Sequence, residues 1–222
     1  MICITGDTHG EQARLLCPQG PKTPRAGDHL IICGDFGFIF RDNYAEKMFL
    51  KDLEQLPYTI LFVDGNHENF EALGRYPVEL WQGGKVHRIG KNILHLMRGQ
   101  VFTIEGKTFF TFGGAYSRDR WWRERNISYW EEELPSDADY KEADRNLTTC
   151  DYAVDYVLTH TAPREVILRR GYIPDPHEAE LNGFLEYLYY RLRFGHWYCG
   201  HFHEDAPMGD NFTFLHYDMQ VL

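Results

Sequence analysis

Two histidines stand two residues apart in Tyr198-Cys-Gly-His-Phe-His203, at the end of an aromatic and apolar run. Residues i and i+2 of a strand share a face, so His201 and His203 can be aimed into one pocket. Neutral imidazoles that converge in this way bind transition metals. Four more fragments carry ligand-type residues, each just after an apolar run: Asp7-Thr-His9, Gly34-Asp35, Asp64-Gly-Asn-His-Glu68 and Thr159-His160. Each fragment alone has an ordinary explanation, such as Asn66 capping the helix that follows. As a series they gather Asp7, His9, Asp35, Asn66, His160, His201 and His203, with His67 beside them. That set is too large for one tetrahedral ion, but two ions sharing a carboxylate would use it fully. Mixed imidazole and carboxylate donors favour Mn, Fe, Zn or Co, and the lack of cysteine ligands argues against a structural zinc. Two divalent ions less Asp7, Asp35 and one hydroxide leave a net positive site, which attracts a phosphate ester.

The elements that must position these residues are legible in outline. Met1–Thr5, His29–Cys33, Thr59–Val63, Tyr152–Leu158 and His196–Gly200 read as buried parallel strands. In open α/β sheets, ligands collect at the carboxyl ends of such strands, where the candidates stand. Helices are predicted over Glu11–Leu16, stopped by Pro18, over Asn43–Gln55 with Asp42 as cap, up to Arg75, from Pro163 to Arg170, and over Glu178–Phe194. Phe36–Phe40 is apolar enough to be core. Val86–Phe112 alternates between turns and predicts the hairpins of a second sheet, to which Met208–Leu222 would add two edge strands. Residues 116–148 form an Arg- and Trp-rich excursion with one or two short helices, a candidate lid.

The 222 residues fit a single domain, 1–222. A net charge of −10 argues against a general nucleic-acid partner. The five cysteines include no CxxC; Cys3, Cys33 and Cys199 read as buried thiols of a protein in the reducing cytoplasm. No run is long enough to cross a membrane, and no Ser elbow, P-loop or GxGxxG competes for the chemistry.

The ordered series Asp7-Thr-His9, Gly34-Asp35, Gly65-Asn-His-Glu68, Thr159-His160 and Gly200-His-Phe-His203 resembles the calcineurin-like metallophosphoesterase superfamily, in its small bacterial and phage form. The resemblance implies a four-layer α/β/β/α sandwich of two mixed sheets, with a dinuclear site at the strand C-terminal ends. It implies that Asp7, His9 and His203 hold one ion, that Asn66, His160 and His201 hold the other, and that Asp35 bridges. A metal-bridging hydroxide would attack phosphorus in line while His67 protonates the leaving oxygen. In the protein-phosphatase branch an Asp three residues after Gly-Asp orients that histidine. Phe38 stands there in this chain, which leaves Asp64, Glu68 and Asp42 as candidates. The segment Gly113–Arg123 resembles one in small family members, which makes Arg123, then Arg118 and Arg120, candidates for holding substrate phosphate. The expectation is a metal-dependent phosphatase or phosphodiesterase acting on a small-molecule or protein-borne ester. The alternatives are a nuclease or cyclic-nucleotide phosphodiesterase, and a non-catalytic metal-holding scaffold.

Overall fold

The structure is a computed structural model that describes residues 1–16 and 22–222. Cys17 and the predicted helix stop at Pro18 lie outside the described residues. The N-terminal half alternates strands and helices: β1 (Ile2–Thr5), α1 (Gln12–Leu16), β2 (His29–Ile32), α2 (Tyr44–Leu53), β3 (Thr59–Phe62) and α3 (Phe70–Leu73). A meander follows: β4 (Val78–Trp81), β5 (Gly84–Arg88), β6 (Ile93–Leu96), β7 (Gln100–Ile104) and β8 (Lys107–Phe112). The rest is α4 (Asp137–Thr149), β9 (Ala153–Thr159), α5 (Arg164–Arg170), α6 (Ala179–Arg191), β10 (Arg193–Cys199), β11 (Ala206–Pro207), β12 (Phe212–Phe214) and β13 (Gln220–Val221).

Among the described residues these strands form two mixed sheets. One has the order β13-β1-β2-β3-β6-β5-β4 and the other β11-β12-β10-β9-β8-β7. Strands β1, β2, β3 and β6 run parallel, as do β8, β9, β10 and β12. The pleat sends alternate residues to opposite faces. Ile2, Ile4, Ile31 and Leu61 therefore meet Phe109, Leu158 and Tyr198 between the sheets. Cys3, Leu30, Ile32, Ile60 and Phe62 face an outer core with Leu15, Leu53, Leu73 and the apolar Phe36, Phe38 and Ile39. On the far side Phe110, Val157 and Trp197 pack against Leu147, Ile167, Leu185 and Leu188 of the outer helices. Helices thus cover both outer faces, giving the four layers α/β/β/α.

Several local expectations change. The hairpin β5–β6 belongs to the first sheet, because β6 runs beside β3, and β4 extends that edge. The C-terminal segment is divided: β12 lies parallel to β10, whereas β13 pairs with β1. Alternation alone does not say which sheet a strand joins. Asn43, not Asp42, caps α2 by accepting the Glu46 N–H. Asn69, not Asn66, caps α3, which leaves the Asn66 amide for other partners. The 116–148 excursion ends in a long helix, α4, after short 3-10 turns at Arg120–Trp122 and Glu131–Glu133. Its apolar period is sparse, since only Ala143 and Leu147 are buried.

Candidate metal centre

The loops after β1, β2, β3, β9 and β10 converge on one cluster. Asp7, His9, Asp35 and His203 each offer a ligand atom, and these atoms all lie within 4.8 Å of one another. His9 Nε2 and His203 Nε2 are 2.9 Å apart, a spacing that requires a shared proton or a shared cation between two lone pairs. Beside them, His160 Nε2 lies 3.3 Å from Asp35 Oδ1 and 3.2 Å from Asn66 Oδ1. The His201 ring stands 5.0 Å from the His160 ring. All seven ligand-type residues are therefore neighbours, with Asp35 touching both groups.

The backbone bends sharply to achieve this. Asp7, His9, Asp35, His201 and His203 have φ of 45°, 46°, 51°, 68° and 50°, in the left-handed region that costs a non-glycine residue about 1 kcal/mol or more. Such conformations persist where surrounding contacts over-determine them. Here the Asp7 carboxylate accepts the His201 N–H at 2.9 and 3.0 Å, and Asp35 Oδ1 accepts the His67 N–H at 2.8 Å. Space is equally constrained. A Cβ on Gly34 would lie 2.1 Å from His160 Nδ1, and one on Gly65 would lie 2.1 Å from Asp35 Oδ1.

Ring and amide orientations are fixed from behind. His160 donates from Nδ1 to the Cys33 carbonyl at 2.9 Å, so Nε2 is the nitrogen presented to Asp35 and Asn66. Asn66 donates from Nδ2 to Ser117 Oγ at 3.1 Å, which turns its Oδ1 toward His160. The Glu68 carboxylate accepts the Gly65 and Phe36 N–H groups at 2.6 and 2.7 Å, tying the second and third loops together.

Electrostatics make the cluster a cation acceptor. Burial pushes Asp7 up to about 7, and the adjacent Asp35 charge adds to the rise. Burial also works against the charge on Asp35, but His160, His67 and His9 outweigh it and hold Asp35 below the usual carboxylate range. Burial lowers His9 to about 4 and carries His201 well below the ordinary imidazole value. Burial works against a charge on His160, but Asp35 and Asp7 outweigh it and raise His160 to about 10, so a positive charge balances the two carboxylates at the centre of the cluster. Imidazoles and carboxylates so combined are the donor set of a transition-metal ion, and this set fits one.

Asp35, Asn66, His201 and His203 of the cluster form the floor of a cavity of about 320 Å³ whose walls include His67, Arg118, Arg123, Tyr116, Tyr172 and Phe202. Arg123 donates to His67 Nε2 at 3.1 Å, to Asp119 at 2.7 Å and to the Ser128 carbonyl at 3.0 Å. Burial, reinforced by Arg123 and opposed by Asp35, draws His67 below its ordinary value. The three acidic candidates for orienting His67 are engaged elsewhere. Asp64 pairs with His95 and Arg98, Glu68 binds the two backbone N–H groups, and Asp42 pairs with Lys47 and Arg75. Phe38 is buried in the core. Arg118 lines the cavity and donates to the Ile173 carbonyl at 3.1 Å. Arg120 is not brought to the cavity; it pairs with the fully buried Glu133 at 3.1 Å between the rings of Tyr116 and Tyr129.

The Metallophos profile, described as calcineurin-like phosphoesterase, matches residues 1–205. The chain belongs to that family. Its members are metal-dependent phosphoesterases, in keeping with the Asp and His cluster on the cavity floor. No curated protein sequence matches this calcineurin-like phosphoesterase. Among solved structures it is similar to a "Putative 5'-Nucleotidase from Staphylococcus aureus in complex with alpha-ketoglutarate", at 13% identity and a TM-score of 0.53. That match covers 97% of this chain and 48% of the other, so this chain spans about half the length of that protein. At such identity the likeness concerns the fold. Among the described residues of this phosphoesterase, no helix is long and apolar enough to cross a membrane.

Sequence reading had no signal for Ser117, Glu68 as a loop tie, or the Cys33 carbonyl. Each acts by orienting a neighbour, which no spacing rule encodes. The aromatic wall of Tyr172 and Phe202 was equally unmarked: Phe202 stands between two ligand-type histidines without a ligand atom of its own, and Tyr172 lies in a loop outside the motifs.

Proposed function

We propose that this phosphoesterase hydrolyses small phosphate monoesters at a site for two metal ions. Asp7, His9 and His203 would hold one ion, Asn66, His160 and His201 the other, and Asp35 both. The single observation that carries this reading is the convergence of Asp7, His9, Asp35 and His203 within 4.8 Å, beside the cavity that Asp35 and His203 line together with His67, Arg118 and Arg123. Bound divalent ions would supply Lewis acidity at the phosphoryl oxygens and lower the pKa of a water there.

The chain's own residues supply the rest. Arg118 and Arg123 offer planar donors to phosphoryl oxygens, and a second negative charge on a monoester suits two guanidinium groups. His67 would hold the proton that the leaving oxygen takes. Arg123 already donates to His67 Nε2, so an entering phosphoryl group that draws Arg123 to itself would free that nitrogen. Tyr172 and Phe202, 5.2 Å apart, would face the leaving group and keep water away from it. The excursion of residues 116–148 would act as the lid, since it brings Arg118 and Arg123 to the site.

The test is turnover of chromogenic mono- and diesters by protein reconstituted with Mn, Fe, Co or Zn. Monoester hydrolysis at least about tenfold faster than diester hydrolysis, abolished in Asp35→Asn, is expected. Equal or faster diester hydrolysis would replace the monoester reading with a phosphodiesterase. No turnover above the Asp35→Asn control with any of these metals would remove the catalytic reading.

A further inference from the structure

Glu178 is a buried acid that the chemistry above leaves unused. It ends the 3-10 turn Pro176–Glu178 just before α6 and is 2% exposed. Its carboxylate accepts the Tyr116 N–H at 2.7 Å, the Thr161 hydroxyl at 3.1 Å and the Asn182 amide at 3.2 Å. All three partners donate, so the group acts as an acceptor throughout, as an ionised carboxylate does. Burying such a charge is costly without a partner, and among the described residues no arginine or lysine forms an ion pair with it. Its remaining neighbour is His201, whose Nε2 lies 3.5 Å from Glu178 Oε1.

We infer that Glu178 is a positioning residue for the second metal ion: its carboxylate faces the Nε2–H of His201 and keeps the proton on that nitrogen, so that Nδ1 carries the lone pair offered to the metal. The inference rests on the two-ion reading above. A histidine ligand commonly donates its other N–H to a carboxylate or carbonyl, which fixes the tautomer and strengthens the ligand. His160 does this with the opposite nitrogen, donating from Nδ1 to the Cys33 carbonyl. Glu178 also reaches the rest of the same half-site. Thr161 follows His160 directly, and Tyr116 precedes Ser117, the residue that orients Asn66. One carboxylate therefore braces Asn66, His160 and His201 together. No hydrogen bond or ion pair links it to Asp7, His9 or His203.

That asymmetry gives the test. Metal-free protein is titrated with Mn²⁺ by calorimetry. Wild type should take up two ions. Glu178→Gln should keep one at near wild-type affinity and bind the second about 10- to 100-fold more weakly, the usual cost of losing an outer partner. Wild-type affinity for both ions in that variant would overturn the inference, as would equal weakening of both, which marks a general structural loss. Uptake of a single ion by wild type would remove the two-ion reading, and this inference with it. A measurement on metal-free wild type needs no variant to fold: long-range ¹H–¹⁵N spectra at about pH 8 should show His201 protonated at Nε2. Protonation at Nδ1 instead would overturn the inference.

Discussion

At the scale of single residues, His67 and Arg123 carry the chemistry most exposed to test. His67 contributes its backbone N–H to Asp35 and its ring to the cavity wall, so removing the ring should spare the metal floor. His67→Ala is expected to retain both ions, measured by elemental analysis, and to lose about 10²- to 10⁴-fold in kcat on an alkyl phosphate. The loss should shrink on a nitrophenyl ester, whose leaving oxygen needs no proton. Equal losses on the two esters would remove the acid role. The convergence of the seven candidate ligands was legible because each follows an apolar strand directly, and type and place together narrow the choice. The partner of His67 was not. The sequence offers Asp64, Glu68 and Asp42 nearby, yet each is consumed by a local contact, and the group that reaches His67 comes from Arg123, 56 residues away. Sequence distance carries no information about a side chain on a returning excursion.

At the scale of elements, the excursion is tied to the site through buried charge. Arg120 pairs with Glu133, whose carboxylate also accepts the Ser117 N–H at 3.0 Å, and Ser117 in turn holds Asn66. Breaking a buried pair strands a charge. Arg120→Ala should therefore lower stability by about 3 kcal/mol in urea titration, while an exposed neighbour such as Trp121 should be replaceable at little cost. Helix α4 is docked by Glu142, which bonds Lys85 of the first sheet and Gln100 of the second at 2.8 and 3.2 Å. Those two bonds hold Glu142 down to about 2. A carboxylate with a folded pKa below its unfolded value stabilises in full above that unfolded value, roughly 4.3, and loses the contribution as pH falls toward the folded one. Glu142→Gln should melt below wild type at pH 7, and the gap should narrow progressively from about pH 5 down to about pH 2. A gap independent of pH would mean that the charge on Glu142 contributes nothing. Helix α4 itself was hard to read, because its buried face is only Ala143 and Leu147.

At the scale of the whole molecule, two facts about charge point in opposite directions. The chain carries a net −10, yet its cavity gathers Arg118, Arg123 and a floor suited to cations. Beyond a Debye length, about 10 Å at 0.1 M salt, the net charge governs approach; inside the cavity, the local positive groups govern. A small phosphate ester meets mainly the second field. A long polyanion meets both, because most of its phosphates would lie outside the cavity. A basic nuclease that neutralises six to ten phosphates loses roughly 10³- to 10⁵-fold in affinity between 50 and 200 mM salt. Here the net charge of −10 works against such a release of counterions. The kcat/KM of this phosphoesterase on a labelled single-stranded oligonucleotide should therefore change by less than about threefold over the same range of salt. On a small monoester it should fall modestly as the attraction to the arginines is screened. A steep loss on the oligonucleotide would reveal a basic track that the charge distribution does not predict, and would move the substrate class toward nucleic acid.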